Sequence, residues 1–441
     1  MLVSYAPIPV PGGPPWRLAL AGGALLGLVA VTGCSANTST PTLTWYINPD
    51  NGGQATIAEQ CTAEADGAYR ISTSLLPNDA PSQREQLIRR LASADSSIDI
   101  MSLDPVYVAE MANADYLAPV PEEYIGEFTD GVIPSSVESS TRQDVLVAAP
   151  FWANTQLLWY RKSVAEAAGL DMSQPVTWDE IIDAAEGQDK RVGVQGIRAE
   201  SLTVWINAMV ESAGGQIVEN PDADSPDQVT LGLDSEAGRS AAGIMERIAE
   251  TGVGGPALSN LDENGAMLEF QSDDGGFMVN WPFIYSASQA AVEDGSLDQA
   301  VLDDIGWTLY PRVDEGQESR PPLGGINLGV GAFSENPDLA FQAVECIRAP
   351  EKQSAYFLTD GNAPSNLAAF DDPEVQEAFP AAPVIAESLQ VSAARPLTPY
   401  YNEVTGGIQK SWHPPEAVRP DSTPARSQEF ILEILKGERL L

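Results

Sequence analysis

From Thr42 onward the chain alternates short strand-like runs with amphipathic helical ones, and this order restricts the fold more than any other feature. Residues 42–47 (TLTWYI) read as a strand, 55–65 as a helix and 69–75 as a second strand. Pro81 stands where a helix would begin, and Gln86, Leu87, Ile88 and Leu91 continue it at helical spacing. Residues 97–101 (SIDIM) read as a third strand. This βαβαβ run predicts an α/β fold, a parallel sheet with helices on both faces. Further strands are expected at 145–149, 156–160, 192–195, 276–280, 307–310 and 326–331. Helices are expected at 178–185, 202–212, 235–250, 337–347, 351–358 and 427–436. Pro and Gly clusters at 49–53, 220–226, 252–256 and 320–325 are too short to link independent domains. They suit two lobes between which the chain crosses several times.

Before this region lies a segment of a different kind. Residues 1–33 carry one charge, Arg17, followed by fourteen small or apolar residues at 18–31. A membrane-spanning helix needs about 20 apolar residues, so this run has the length of a signal-peptide core instead. It ends in Val31-Thr32-Gly33-Cys34, an aliphatic residue, two small ones and a cysteine. That pattern predicts a lipoprotein signal peptide at 1–33, lipidation of Cys34, and a flexible tether at 34–41. The expected location is the outer face of the cytoplasmic membrane, held by the lipid anchor only. Two cysteines remain, Cys61 and Cys346, in an oxidising compartment, so they form either a disulfide or two buried thiols.

Composition removes several functions. The 441-residue chain has 63 Asp and Glu against 23 Lys and Arg, a formal charge of −40. Such a surface repels phosphate backbones, which argues against nucleic-acid binding. One histidine, His413, and three cysteines argue against zinc sites and paired-histidine chemistry, and no metal or cofactor is expected. There is no phosphate-binding GxxxxGK[ST] loop and no GxSxG elbow. Carboxylates are abundant enough that a glycosidase pair is compatible with the sequence.

In open α/β sheets, ligands bind beyond the carboxyl ends of the strands. Asn48 and Asp50 follow the first strand, Asn78 and Asp79 the second, and Asp104 the third. Phe151, Trp152 and Asn154 follow the 145–149 run, and Trp281 and Phe283 follow 276–280. Amides and carboxylates suit hydroxyl groups, while indole and phenyl faces suit the C–H face of a pyranose. The mixture points to a neutral polyhydroxylated ligand.

Several segments resemble one family in the expected order. These are QLLWYRK at 156–162, GGFMVNWP at 275–282, LGGINLGV at 323–330 and SENPDLA at 334–340. Together with the lipobox they resemble the extracellular solute-binding proteins of carbohydrate ABC importers, the maltodextrin-binding-like group. PFWANTQ at 150–156 and ARPLTPYY at 394–401 are similar to the trehalose-binding lipoproteins within it. The resemblance implies two α/β lobes joined by three crossings: lobe 1 at 42–150 and 308–348, lobe 2 at 151–307 and 349–441. That places Cys61 and Cys346 in one lobe, favouring the disulfide. It also implies a monomeric, non-enzymatic receptor that hands a disaccharide, trehalose first, to two permease subunits and an ATPase. The expected ligand residues are Asn48, Asp79, Asp104, Asn154, Trp281, Phe283, Gly325 and Arg395. Arg395 is expected to face Asp79 and Asp104 across the cleft, with sugar as the only bridge. An exported glycoside-acting enzyme and a receptor for another solute, such as a glycerophosphodiester, are the rival readings.

Overall fold

The computed structural model describes residues 40–441. The signal peptide, Cys34 and nearly all of the tether expected at 34–41 lie outside the described residues. Among the described residues eleven strands occur in chain order: β1 (Thr42–Ile47), β2 (Arg70–Leu75), β3 (Ile100–Leu103), β4 (Thr141–Arg142), β5 (Val145–Leu146), β6 (Ala149–Thr155), β7 (Leu157–Arg161), β8 (Arg191–Gly193), β9 (Gly275–Asn280), β10 (Ile305–Thr308) and β11 (Leu323–Val330).

They form two main sheets and a small hairpin, β4–β5. The first sheet has the order β2-β1-β3-β11-β6 and the second β10-β7-β9-β8. β1, β2 and β3 are parallel, as the βαβαβ run requires. β11 is antiparallel to both β3 and β6, so the sheet is mixed rather than fully parallel. The local pattern could not reveal this. β11 enters the first sheet from the second lobe, far along the chain, so its direction is set by the crossing and not by a neighbouring βαβ turn.

Local signals explain most elements. The helix Ala80–Leu91 starts with Asp79, whose carboxylate accepts from Ser82 N at 2.9 Å, and carries a proline in its first turn. The helix Trp178–Glu186 has a capping box, with Glu180 accepting from Thr177 N at 2.7 Å and Thr177 from Glu180 N at 3.2 Å. The 145–149 run is split: β5 ends at Leu146 and β6 begins at Ala149. Phe151, Trp152 and Asn154 therefore lie within β6, not beyond a strand. Alternation then sorts them. Phe151 and Ala153 are buried, whereas Trp152 and Asn154 are half-buried on the other face.

Both faces of the first sheet are packed. Leu43, Trp45 and Phe151 meet the helices Gly53–Glu64 and Pro337–Ile347 on one side. Tyr46, Met101 and Leu103 meet Leu87, Leu91 and Met111 on the other. The disulfide Cys61–Cys346 joins those first two helices, with Cα atoms 5.9 Å apart and a sequence separation of 285. Closing so long a loop contributes on the order of 2–4 kcal/mol. The second sheet is cored by Trp178, Trp205, Phe277 and Val279 with the C-terminal helices Tyr401–Ser411 and Thr423–Leu435.

The strands place the crossings later than the boundaries read from the sequence. β6 keeps the chain in the first sheet through Thr155, and β7 joins the second at Leu157. Gln156 between them is fully buried and donates to Gln195 at 3.1 Å. After β10, Arg312 still bridges Thr177 of the second lobe, so the return falls between Arg312 and Leu323. The helix Pro350–Asp360 packs on the first lobe, where Tyr356 stacks on Phe151 and Lys352 pairs with Glu64 at 2.7 Å.

Candidate ligand cleft

A cavity of about 370 Å³ opens between the sheets, lined from both lobes. Its volume lies within the range of small-molecule sites. From the first lobe come Asn48 after β1, Asn78 and Ala80 after β2, Asp104 after β3, and Trp152 and Asn154 on β6. Gly324 and Gly325 of β11 pair with Asn154 and Ala153. From the second lobe come Trp281 and Phe283 after β9, Glu200 and Ser201 opening the helix Glu200–Ser212, and Glu263 opening the helix Glu263–Gln271. Arg395 lines the cavity from the irregular segment between the helices Ala382–Gln390 and Tyr401–Ser411.

Two glycines allow this assembly. Gly325 has φ +124°, and a Cβ there would stand 2.3 Å from the Trp152 carbonyl oxygen. Only glycine reaches that conformation readily and lets β11 lie so close to the strand presenting Trp152. At Gly324 a Cβ would come 3.1 Å from the Trp281 ring, which reaches across from the second lobe.

Seven of the eight residues expected from sequence line this cavity: Asn48, Asp104, Asn154, Trp281, Phe283, Gly325 and Arg395. Asp79 does not. Its exposed carboxylate is engaged as the helix cap described above, and the Ser82 hydrogen bonds hold its pKa below the ordinary aspartate value. Asn78, one residue earlier, stands in the cavity instead.

The expectation that only a ligand would bridge the two walls needs correction. Arg395 is 5% exposed and forks between the lobes: Nη2 donates to Asp104 at 2.9 Å and Nη1 to Glu200 at 2.7 Å. Glu200 also accepts from the Tyr401 hydroxyl and, at 2.9 Å, from Thr405. Burial alone would lower the Arg395 pKa, but the charges of Asp104 and Glu200 outweigh it and hold the guanidinium protonated. Burial, reinforced by Glu200, pushes the Tyr401 phenol well up, so it remains a donor. The Arg395 segment is fixed on both sides, by Leu323 N donating to Ala393 O at 2.8 Å and Asn207 donating to Ala394 O at 3.1 Å.

Glu200, Glu263 and Asn362 were missed in the sequence reading. Glu200 and Glu263 head helices rather than follow strands, and Asn362 follows the helix Pro350–Asp360. The only sequence signal was Asp262, an N-cap that accepts from Gly265 N at 2.7 Å and so places Glu263 in the first turn. Burial raises the Glu263 carboxyl above its usual range, partly offset by hydrogen bonding that includes Trp281.

Three buried polar atoms of cavity-lining residues have no protein partner: Asn48 Oδ1, Trp152 Nε1 and Arg395 Nε. Unpaired buried polar groups cost on the order of 1–3 kcal/mol each. Among the described residues no group of three or more His, Cys, Asp or Glu could hold a metal ion.

Residues 70–354 match the bacterial extracellular solute-binding proteins. The chain belongs to that family. Its members capture solutes rather than transform them, so this receptor is not an enzyme. The receptor is 24% identical over 415 residues to a probable ABC transporter-binding protein of Deinococcus radiodurans, covering 88% of this chain and 92% of that one. It is 25% identical over 391 residues to a probable amino-acid ABC transporter periplasmic-binding protein of Sinorhizobium fredii, covering 82% and 83%. Its fold is similar to that of maltose-bound MalE3 of T. maritima, with a TM-score of 0.72 at 22% identity, over 90% of this chain and all of that one.

Proposed function

We propose that this receptor is the lipid-anchored, substrate-binding subunit of an ABC importer for a disaccharide, with trehalose the foremost candidate. The observation that carries the reading is the composition of the interlobe cavity. Unpartnered Asn48 Oδ1, Trp152 Nε1 and Arg395 Nε accompany the aromatic side chains of Trp152, Trp281 and Phe283. Apolar ring faces with scattered donors and acceptors complement a pyranose, whose C–H faces are apolar and whose rim is hydroxylated. The similarity to a maltose-bound fold and to probable ABC transporter-binding proteins supports the same class. The resemblance of residues 150–156 and 394–401 to trehalose-binding lipoproteins narrows it further.

An anionic solute fits less well. Among the described residues, Arg395 is the only cationic side chain lining the cavity, and Asp104 and Glu200 already offset its charge. A glycoside-acting enzyme would need two free carboxylates. Glu200 is committed to Arg395, Tyr401 and Thr405, and Asp104 to Arg395 and Val106 N, which leaves Glu263 alone. Delivery follows from closure: a ligand touching both lobes favours their approach, and the approached form is what two permease subunits and their ATPase would engage.

Calorimetry of the mature protein against trehalose, maltose, sucrose, a glycerophosphodiester and free amino acids tests the reading. Trehalose is expected to bind most tightly, with no glucose released on incubation. Selective binding of the phosphodiester or an amino acid would overturn it. Anchoring rests on the sequence Val31-Thr32-Gly33-Cys34. Cys34→Ala is expected to shift the protein from the membrane fraction to the medium; retention in the membrane would remove the anchor from the proposal.

A further inference from the structure

The lobes also meet outside the sugar cavity. Arg142 lies on β4, in the hairpin that packs on the first lobe through Leu146. Its guanidinium crosses to the loop that follows the helix Glu200–Ser212, a loop tied to the second lobe's core by Val218, Ala223 and Leu231. There Nη1 donates to the Pro221 carbonyl at 3.1 Å and to the Asp222 carboxylate. Arg142 is 7% exposed, and its Nη2 is buried without a protein partner. A second contact is apolar. Tyr107, from the helix Pro105–Asn113 of the first lobe, meets Tyr401 of the second edge to face, with ring centres 6.0 Å apart. With Val106 they form a small buried cluster separate from the cores of the two lobes. None of Arg142, Asp222, Tyr107 and Tyr401 lines the sugar cavity.

A cation is well placed at such a contact. The chain carries 63 Asp and Glu against 23 Lys and Arg, so drawing its lobes together works against like-charge repulsion. Arg142 brings positive charge from one lobe to a carboxylate of the other. The gain is moderate, because the Asp222 side chain is 61% exposed and is hydrated whether the lobes meet or part. It is also indifferent to the solute. The groups involved all belong to the protein, so they favour the approached lobes by the same amount whatever occupies the cavity.

We propose that Arg142 is a positioning residue for solute capture: with Asp222 and the Tyr107–Tyr401 contact it clasps the lobes outside the cavity and sets how firmly any solute is held. The effect on bound sugar rests on the reading above, whereas the effect on the compactness of the ligand-free protein does not. Biasing a two-state equilibrium toward the binding-competent form raises the affinity for every ligand by one factor. Among related binding events such differences fall mostly in the rate of release. The cavity residues thus decide which solute is taken, and the clasp decides how long it stays.

The test applies small-angle scattering and binding kinetics to the mature protein carrying Arg142→Ala or Asp222→Ala. Without ligand, both variants are expected to have a larger radius of gyration than the wild type. Asp222 is exposed on its loop, so its variant gives the answer even if Arg142→Ala folds poorly. Both should weaken trehalose by about three- to tenfold, between the worth of an exposed ion pair and that of a charge-assisted hydrogen bond. The loss should appear as faster dissociation, and maltose or any other sugar that the wild type binds should lose affinity by the same factor. Combining the two substitutions should cost no more than Arg142→Ala alone. A ligand-free size unchanged in the variants, or losses that differ from sugar to sugar, would overturn the clasp. If the wild type binds none of these sugars, the sugar reading falls, and the ligand-free size of the variants still decides whether the clasp exists.

Discussion

Arg395→Lys is expected to weaken sugar binding by about 10- to 100-fold and to lower the stability of the ligand-free protein as well. The guanidinium holds Asp104 of the first lobe and Glu200 of the second with separate nitrogens, at 2.9 and 2.7 Å. An ammonium carries the same charge at a single point and cannot span two carboxylates in this forked geometry. One of them is then left partly buried without its counter-charge. Removing one partner of a buried ion pair costs on the order of 3–5 kcal/mol, and retaining a positive charge nearby should hold the loss below that. A charge-assisted hydrogen bond is worth about 1.5–3 kcal/mol, and each 1.4 kcal/mol is tenfold in affinity, which sets the expected range. Calorimetry and ligand-free thermal melts on the same preparation separate the two effects. If the variant binds as tightly as the wild type while its melt falls, Arg395 serves only to join the lobes, and the polar contacts must come from Asn48, Asn154 and Glu263.

Trp281→Ala should remove at least about 30-fold in affinity, the loss expected when an anchoring aromatic worth about 2 kcal/mol or more is truncated. Its ring is half-buried, lies against Gly324 of the opposite lobe and borders the cavity beside Glu263. The ligand-free melting temperature should change little, because the side chain fills no part of the continuous cores; the fully buried Trp45, Trp159, Trp178, Trp205 and Trp412 do that. A large fall in the ligand-free melt, with binding preserved at low temperature, would mean that Trp281 braces the lobes and does not stack on sugar.

These two residues also show how differently site residues are written in a sequence. Trp281 directly follows β9, a strand recognisable from its apolar run, and the rule that ligands gather beyond strand ends singled it out. The same rule found Asn48 and Asp104. It misplaced Asp79, because a side chain that caps a helix and one that points into a cleft look alike at the level of sequence. It could not find Glu200 or Glu263, which reach the cavity from helix starts. Arg395 came from family resemblance alone, since nothing in its irregular segment marks it locally.

What the sequence by itself determined is whatever depends on neighbours along the chain: the order of strands and helices, their caps, the sides taken by Phe151 and Trp152 once β6 is placed, and the acidic surface that excludes nucleic acid. The tertiary structure alone decided the antiparallel insertion of β11 and the residue at which each crossing falls, while the Cys61–Cys346 disulfide expected from the sequence is formed. It also decided the meeting of Arg395 with acids 291 and 195 residues away. The division has a physical cause. Periodicity and capping arise from hydrogen bonds and side-chain spacing within a few residues. The direction of β11 and the Arg395 fork instead follow from which surfaces two lobes bury against each other, and residues hundreds of positions apart carry no local trace of that choice.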